Sequence, residues 1–149
     1  MKTCSINYLY LLVILLIFPS AIAAQSASAL FTLLDSEDTK IDFENTIIDT
    51  KTANILIYSN FYGGAGVGIS DINGDGLQDL FFTGNQVEDK LYLNMGNLKF
   101  KDITKSSGIL NNGGWSSGVA IADINNDGLM DIYVCRELYD SRPDLRKNK

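Results

Sequence analysis

The chain has 149 residues, 46% of them hydrophobic, with 18 acidic side chains against 12 basic ones and a net charge of −6. That length leaves room for one domain, and the acidic balance argues against nucleic acid as a partner. The absence of histidine removes the commonest general base and the usual zinc ligand.

Lys2 gives a basic start, Tyr8 to Phe18 is unbroken and apolar, Pro19 and Ser20 break the run, and Ala21, Ala23 and Ala24 follow. This is the pattern of a secretory signal peptide over residues 1–24, with the mature start near Ala24 or Gln25. The apolar run is shorter than the roughly twenty residues of a spanning helix. Membrane contact is therefore expected only through export, and the location is secreted, extracellular or cell-surface, with the periplasm as the other compartment export reaches.

Residues 25–62 read as N-terminal strands leading into the main fold. Leu30-Phe31-Thr32-Leu33-Leu34 is a short strand candidate, Ile41-Asp42-Phe43-Glu44 alternates, and Asn54 to Tyr58 is a further apolar run. The glycines from Gly63 to Gly68 lack the third glycine of a dinucleotide fingerprint, where Ile69 stands, and the Gly-Lys-Ser/Thr of a phosphate loop. They read as close backbone packing between strands.

The next stretch, Asp71-Ile72-Asn73-Gly74-Asp75-Gly76-Leu77-Gln78-Asp79, returns as Asp123-Ile124-Asn125-Asn126-Asp127-Gly128-Leu129-Met130-Asp131, 52 residues later. Side-chain oxygens at positions 1, 3 and 5, glycine at 6 and aspartate at 9 suit calcium, which takes six to eight hard oxygen ligands. Asp71, Asn73, Asp75 and Asp79 would supply side-chain oxygens and Leu77 its carbonyl. Asp123, Asn125, Asp127, Leu129 and Asp131 repeat the set, so about two Ca2+ ions are expected. An EF-hand would carry glutamate at position 12, where Phe82 and Val134 stand. The flanking runs are short and β-prone, so each loop is expected to join two strands.

Strands follow at Leu80 to Thr83, Lys90 to Leu93 and Leu98 to Ile103, making a four-stranded antiparallel meander with the strand before the loop. The cycle restarts at Gly113-Gly114-Trp115, where Trp115 is expected to fill space between sheets. Cys135 closes the apolar run Ile132-Tyr133-Val134-Cys135 and is expected to be buried as a small hydrophobe. The tail from Arg136 to Lys149 is charged and reads as a long turn, the chain stopping before a third and fourth strand. Residues 63–112 thus form a first repeat and 113–149 a truncated second one. Four strands per period of this size fit a propeller blade.

The two loops with their flanks resemble FG-GAP repeats, also called VCBS repeats, the calcium-binding blades of integrin α-subunit propellers. Phe61-Tyr62-Gly63-Gly64-Ala65 is similar to the family's name-giving segment. Lys90-Leu91-Tyr92-Leu93-Asn94 with Phe100-Lys101-Asp102-Ile103-Thr104 resembles the secreted bacterial relatives of the cartilage acidic protein and ASPIC/UnbV group. The resemblance implies an all-β, partial β-propeller after a signal peptide: about one complete blade plus parts of its neighbours, the rest of the propeller missing. It implies a non-catalytic module for protein or glycan binding and adhesion. The alternative is an accessory propeller segment of a secreted polysaccharide-acting enzyme.

Overall fold

The computed structural model describes residues 29–109 and 114–137. The chain divides into two units, Met1–Leu33 and Leu34–Lys149. Of the first, residues 29–33 are described and carry no regular secondary structure. The expected signal peptide and the tail beyond Glu137 lie outside the described residues. Among those described, no helix is long and apolar enough to cross a membrane.

The second unit opens on a single helical turn, α1 (Ser36–Thr39). The Asp35 carboxylate caps it by accepting from the Glu37 N–H at 2.8 Å, and Lys40 ends it in the left-handed region at φ 64°. Three expected strands are absent. Residues 31–35 run without a ladder partner. Residues 54–58 fold into turns because the Asn54 side-chain oxygen accepts the Leu56 N–H at 2.9 Å, drawing the backbone away from pairing. Residues 41–44 also stay out of a ladder. Phe43 stacks on Phe82 at 5.0 Å and the Tyr92 hydroxyl donates to the Asp42 carboxylate at 2.6 Å, so this segment lies against a sheet face.

The first sheet is an antiparallel meander in the order β1 (Val67–Ser70), β2 (Asp79–Phe82), β3 (Lys90–Asn94) and β4 (Phe100–Asp102). Its register pairs Gly68 with Phe81 and Phe81 with Leu91, placing these residues on one face by the two-residue strand period. Val67, Ile69, Leu80, Phe82 and Tyr92 occupy the other face. The second sheet pairs β5 (Trp115–Ala122) with β6 (Asp131–Glu137), with a bulge between Ser116 and Gly118. The expected meander and the restart of its cycle are both present.

The sheets pack through Phe81, Leu91 and Val134, flanked by Ile103, Val119, Ile121 and Ile132. The approach is close at two glycines, as expected of the glycine-rich segment. A Cβ on Gly66 would stand 2.8 Å from the Gly118 Cα, and one on Gly68 would stand 2.7 Å from the Ile121 Cδ1. A second cluster joins Ala53 and Phe61 to Trp115, whose ring centroid lies 5.2 Å from that of Phe61. Trp115 is thus the core aromatic its sequence context predicts.

Two expectations for β6 change. Ile132 and Val134 face the core, so alternation turns Tyr133 and Cys135 to the opposite face, and Cys135 is exposed. Arg136, expected in a solvated tail, is a strand residue whose side chain is buried against Asp89 at 3.2 Å.

Burial, and then the bond to Asp42, push the Tyr92 phenol above its usual range. With an unfolded value of about 10, this group's contribution to stability is present below that pH and is lost as pH climbs toward the raised folded value. Alkaline titration followed by phenolate absorbance should therefore show a late-ionising tyrosine in the native protein that is missing in Tyr92→Phe. Identical native titrations, apart from total amplitude, would remove this assignment.

Candidate metal centre

Both nine-residue stretches sit where the sequence places them, as loops between antiparallel partners. Ser70 pairs with Asp79 across the first and Ala122 with Asp131 across the second. Each loop is held by its own carboxylates. Asp71 accepts the Gly74 N–H at 2.8 Å and the Asp75 N–H at 3.1 Å on one oxygen, and the Gly76 N–H at 2.8 Å on the other. Asp123 accepts the Asp127 and Gly128 N–H groups at 3.0 and 2.8 Å in the same way.

Position 3 braces position 5 in both copies. The Asn73 amide oxygen accepts the Asp75 N–H at 3.0 Å and its nitrogen donates to the Asp75 carboxylate at 2.9 Å, and Asn125 does the same to Asp127. The Leu77 and Leu129 N–H groups donate to Asp75 and Asp127 at 2.8 and 2.9 Å. The Leu129 N–H, then the Asn125 amide, hold the Asp127 carboxyl below the usual carboxylate range.

The turn needs left-handed residues at two places. Gly76 and Gly128 supply φ of 85° and 87° at position 6. At position 4 the first loop has Gly74 at 77°, whereas the second has Asn126 at 61°, one of the few side chains that tolerates this region.

Position 9 has a different role from the others. Asp79 is fully buried at the start of β2. One oxygen accepts the Ile72 N–H at 2.9 Å, tying the loop's end to its beginning, and the other accepts the Asn94 N–H of β3 at 2.8 Å. Asp131 makes the first of these bonds, to the Ile124 N–H at 3.0 Å. Sequence reasoning missed Asn94, which also donates its side-chain amide to the Gln78 carbonyl at 3.0 Å. Its position in an Asn-Met-Gly-Asn turn hid it among ordinary turn formers.

The structure brings Asp71, Asn73, Asp75 and Asp79 into one loop, and likewise Asp123, Asn125, Asp127 and Asp131. Among the described residues, however, no three acidic or cysteine side chains stand close enough to enclose a metal ion by themselves. The carboxylates are aimed at N–H groups, so a cation would draw on the asparagine and carbonyl oxygens as well. Among the described residues the ion pairs are Lys90 with Asp102 and Arg136 with Asp89, and neither involves a loop carboxylate. The donor set is all hard oxygen and, among the described residues, lacks a protein counter-charge, which fits a hard divalent cation.

Comparison with known proteins follows the repeat. Residues 71–134 match the family model for the FG-GAP-like repeat, a span running from the first position of one loop to the core of β6. Cartilage acidic protein 1 of Xenopus tropicalis is 30% identical over 101 residues, which is 67% of this chain and 16% of that protein. No solved structure matches the chain. With its two antiparallel sheets, its repeated loop and its match over 71–134, the chain carries an FG-GAP-like repeat, a β-propeller-like module.

Proposed function

We propose that this chain is a calcium-stabilised, non-catalytic binding module of an extracellular or cell-surface protein, presenting propeller blades to a protein or glycan partner. The observation that carries the calcium reading is the pair of loops folded alike, with Asp71 and Asp75 matched by Asp123 and Asp127 and none of the four joined to a lysine or arginine among the described residues. Asp71, Asn73, Asp75, Asp79 and the Leu77 carbonyl would hold the first ion, and Asp123, Asn125, Asp127, Asp131 and the Leu129 carbonyl the second. When bound, the ion supplies positive charge that lets neighbouring carboxylates share one loop.

The role is structural. Each loop joins adjacent strands, and extracellular calcium modules bind at about 10⁻⁴ to 10⁻³ M, where ambient calcium keeps them filled. The likeness to cartilage acidic protein 1, together with the export signal read at the N-terminus, supports the extracellular location. The partner class rests on the adhesive use of such propellers, and the non-catalytic reading on the lack of histidine in the chain.

Calorimetric titration of the purified chain with calcium chloride should show about two ions bound, with affinities in that range. The melting temperature should rise by several degrees between chelator and about 2 mM calcium, a concentration above that range. Absence of heat together with an unchanged melt would overturn the calcium reading and leave the repeat assignment standing.

A further inference from the structure

We propose that Asn73 is a self-modification site, where the folded loop converts the asparagine through a succinimide to aspartate and isoaspartate. Asn73 is followed by Gly74, and both residues are exposed. The Asn73 side chain is turned forward along the chain. Its oxygen accepts the Asp75 N–H at 3.0 Å and its nitrogen donates to the Asp75 carboxylate at 2.9 Å. A Cβ on Gly74 would meet nothing within 4 Å, so the residue that must supply the attacking nitrogen lies in open space.

The polar groups this reaction needs stand on the reacting atoms. The Gly74 N–H donates to an Asp71 oxygen at 2.8 Å, so a carboxylate already holds the proton that must leave when that nitrogen becomes the nucleophile. The Asp75 N–H sits on the Asn73 oxygen, where negative charge develops. The Gly74 nitrogen bonds to the Asn73 Cγ, its proton passes by way of Asp71 to the side-chain nitrogen, and the Cγ–Nδ2 bond breaks to release ammonia. Water then opens the ring, giving its hydroxyl to a carbonyl carbon and its hydrogen to the Gly74 nitrogen. Cleavage of the new Cγ–N bond leaves aspartate. Cleavage of the original peptide bond leaves isoaspartate, with the main chain routed through Cβ and Cγ.

The second loop supplies the contrast. Asn125 makes the same two bonds to Asp127, at 3.0 and 2.9 Å, but the residue that follows is Asn126, whose side chain fills space left open at Gly74. The same brace thus carries a reactive asparagine in one loop and a shielded one in the other. Isoaspartate at 73 would lengthen the main chain by a methylene between Asp71 and Asp75 and remove the amide that braces the Asp75 carboxylate. Asn112 also precedes a glycine and lies outside the described residues.

The test is incubation of the purified chain in warm, neutral buffer with chelator, which keeps the outcome separate from the calcium reading. Proteolysis and fragmentation mass spectrometry then place each amide-to-acid conversion and separate isoaspartate from aspartate. Asn73 should convert several times faster than Asn125. Asn126→Gly should raise Asn125 to a rate like that of Asn73, and Gly74→Asn should slow Asn73 to that of Asn125. This loop position accepts either residue at positive φ, 77° for Gly74 and 61° for Asn126. Asp71→Asn keeps an oxygen acceptor but no base, and should slow Asn73 by about 10²-fold, the lower end of what a positioned base supplies. Unchanged circular dichroism confirms that each variant folds. Should the Asp71→Asn spectrum change, Asp123→Asn in the Asn126→Gly chain replaces it, with the same slowing expected at Asn125. An Asn73 that keeps its amide, equal rates at Asn73 and Asn125, or an unaltered rate once the aspartate is replaced would each overturn the proposal.

Discussion

Replacing Asp89 by alanine should lower the unfolding free energy by about 3–5 kcal/mol, the range seen when one partner is removed from a buried ion pair. Asp89 lies between the sheets with its side chain 2% exposed, and Arg136 opposite is 4% exposed. One carboxylate oxygen accepts the Gly84 N–H at 2.8 Å. The other accepts from Arg136 at 3.2 Å and from the Ser116 hydroxyl at 3.3 Å. Alanine would strip the charge that faces the guanidinium and leave the Gly84 donor buried without its acceptor. Asn85 extends the same seam, donating to the Ser116 carbonyl at 3.1 Å while accepting from the Asn45 amide at 2.7 Å.

The pair's net worth is a separate question, because taking two charges out of water offsets much of their attraction. The double variant Asp89→Leu with Arg136→Met should therefore be more stable than Asp89→Ala alone. Urea melts of the two proteins decide this. A double variant at least as unstable as the single one would show that packing, not the stranded charge, dominates the seam.

The second large effect separates the two kinds of loop aspartate. Asp79→Ala should cost about 2–4 kcal/mol with calcium present or removed, since it deletes two buried charge-assisted bonds that exist without any ion. Asp75→Ala should behave differently. Asp75 is exposed, its contacts are local, and its loss should lower the melting temperature in calcium while leaving the chelated protein within about 0.5 kcal/mol of the wild type. Thermal melts of both variants in each condition give four numbers. Equal losses for Asp75→Ala in calcium and chelator would mean that the position serves only the turn.

Much of the first sheet is legible in the sequence because local signals agree there. The meander from Val67 to Asp102 has short β-prone runs, turn residues between them and a loop whose glycines fall where positive φ is required. The loops are legible for the same reason, down to Gly76 and Gly128. What could not be read depends on distant neighbours. Asn54 turns an apolar run into a turn by bonding its own backbone, and Ile41 to Glu44 alternates like a strand yet finds a sheet face instead of an edge. Arg136 and Asp89 each look like ordinary surface charges. They become interior only because the fold brings together two positions 47 residues apart in the chain. Cys135 shows the limit of composition, since an apolar run says little about which of its alternate members points inward.

The spacing of that buried pair also bears on the order in which the protein is made. Ladder pairing of the first sheet closes within Val67 to Asp102, so a chain emerging N-terminus first from the ribosome holds every residue of that sheet early. Arg136 arrives later. Until it does, the Asp89 carboxylate lacks the guanidinium that faces it in the folded chain, and Phe81 and Leu91 lack the Val134 side chain that packs with them. Arrival of β6 brings Val134 onto Phe81 and Leu91 and Arg136 onto Asp89 in one step, making this strand a latch between the two sheets.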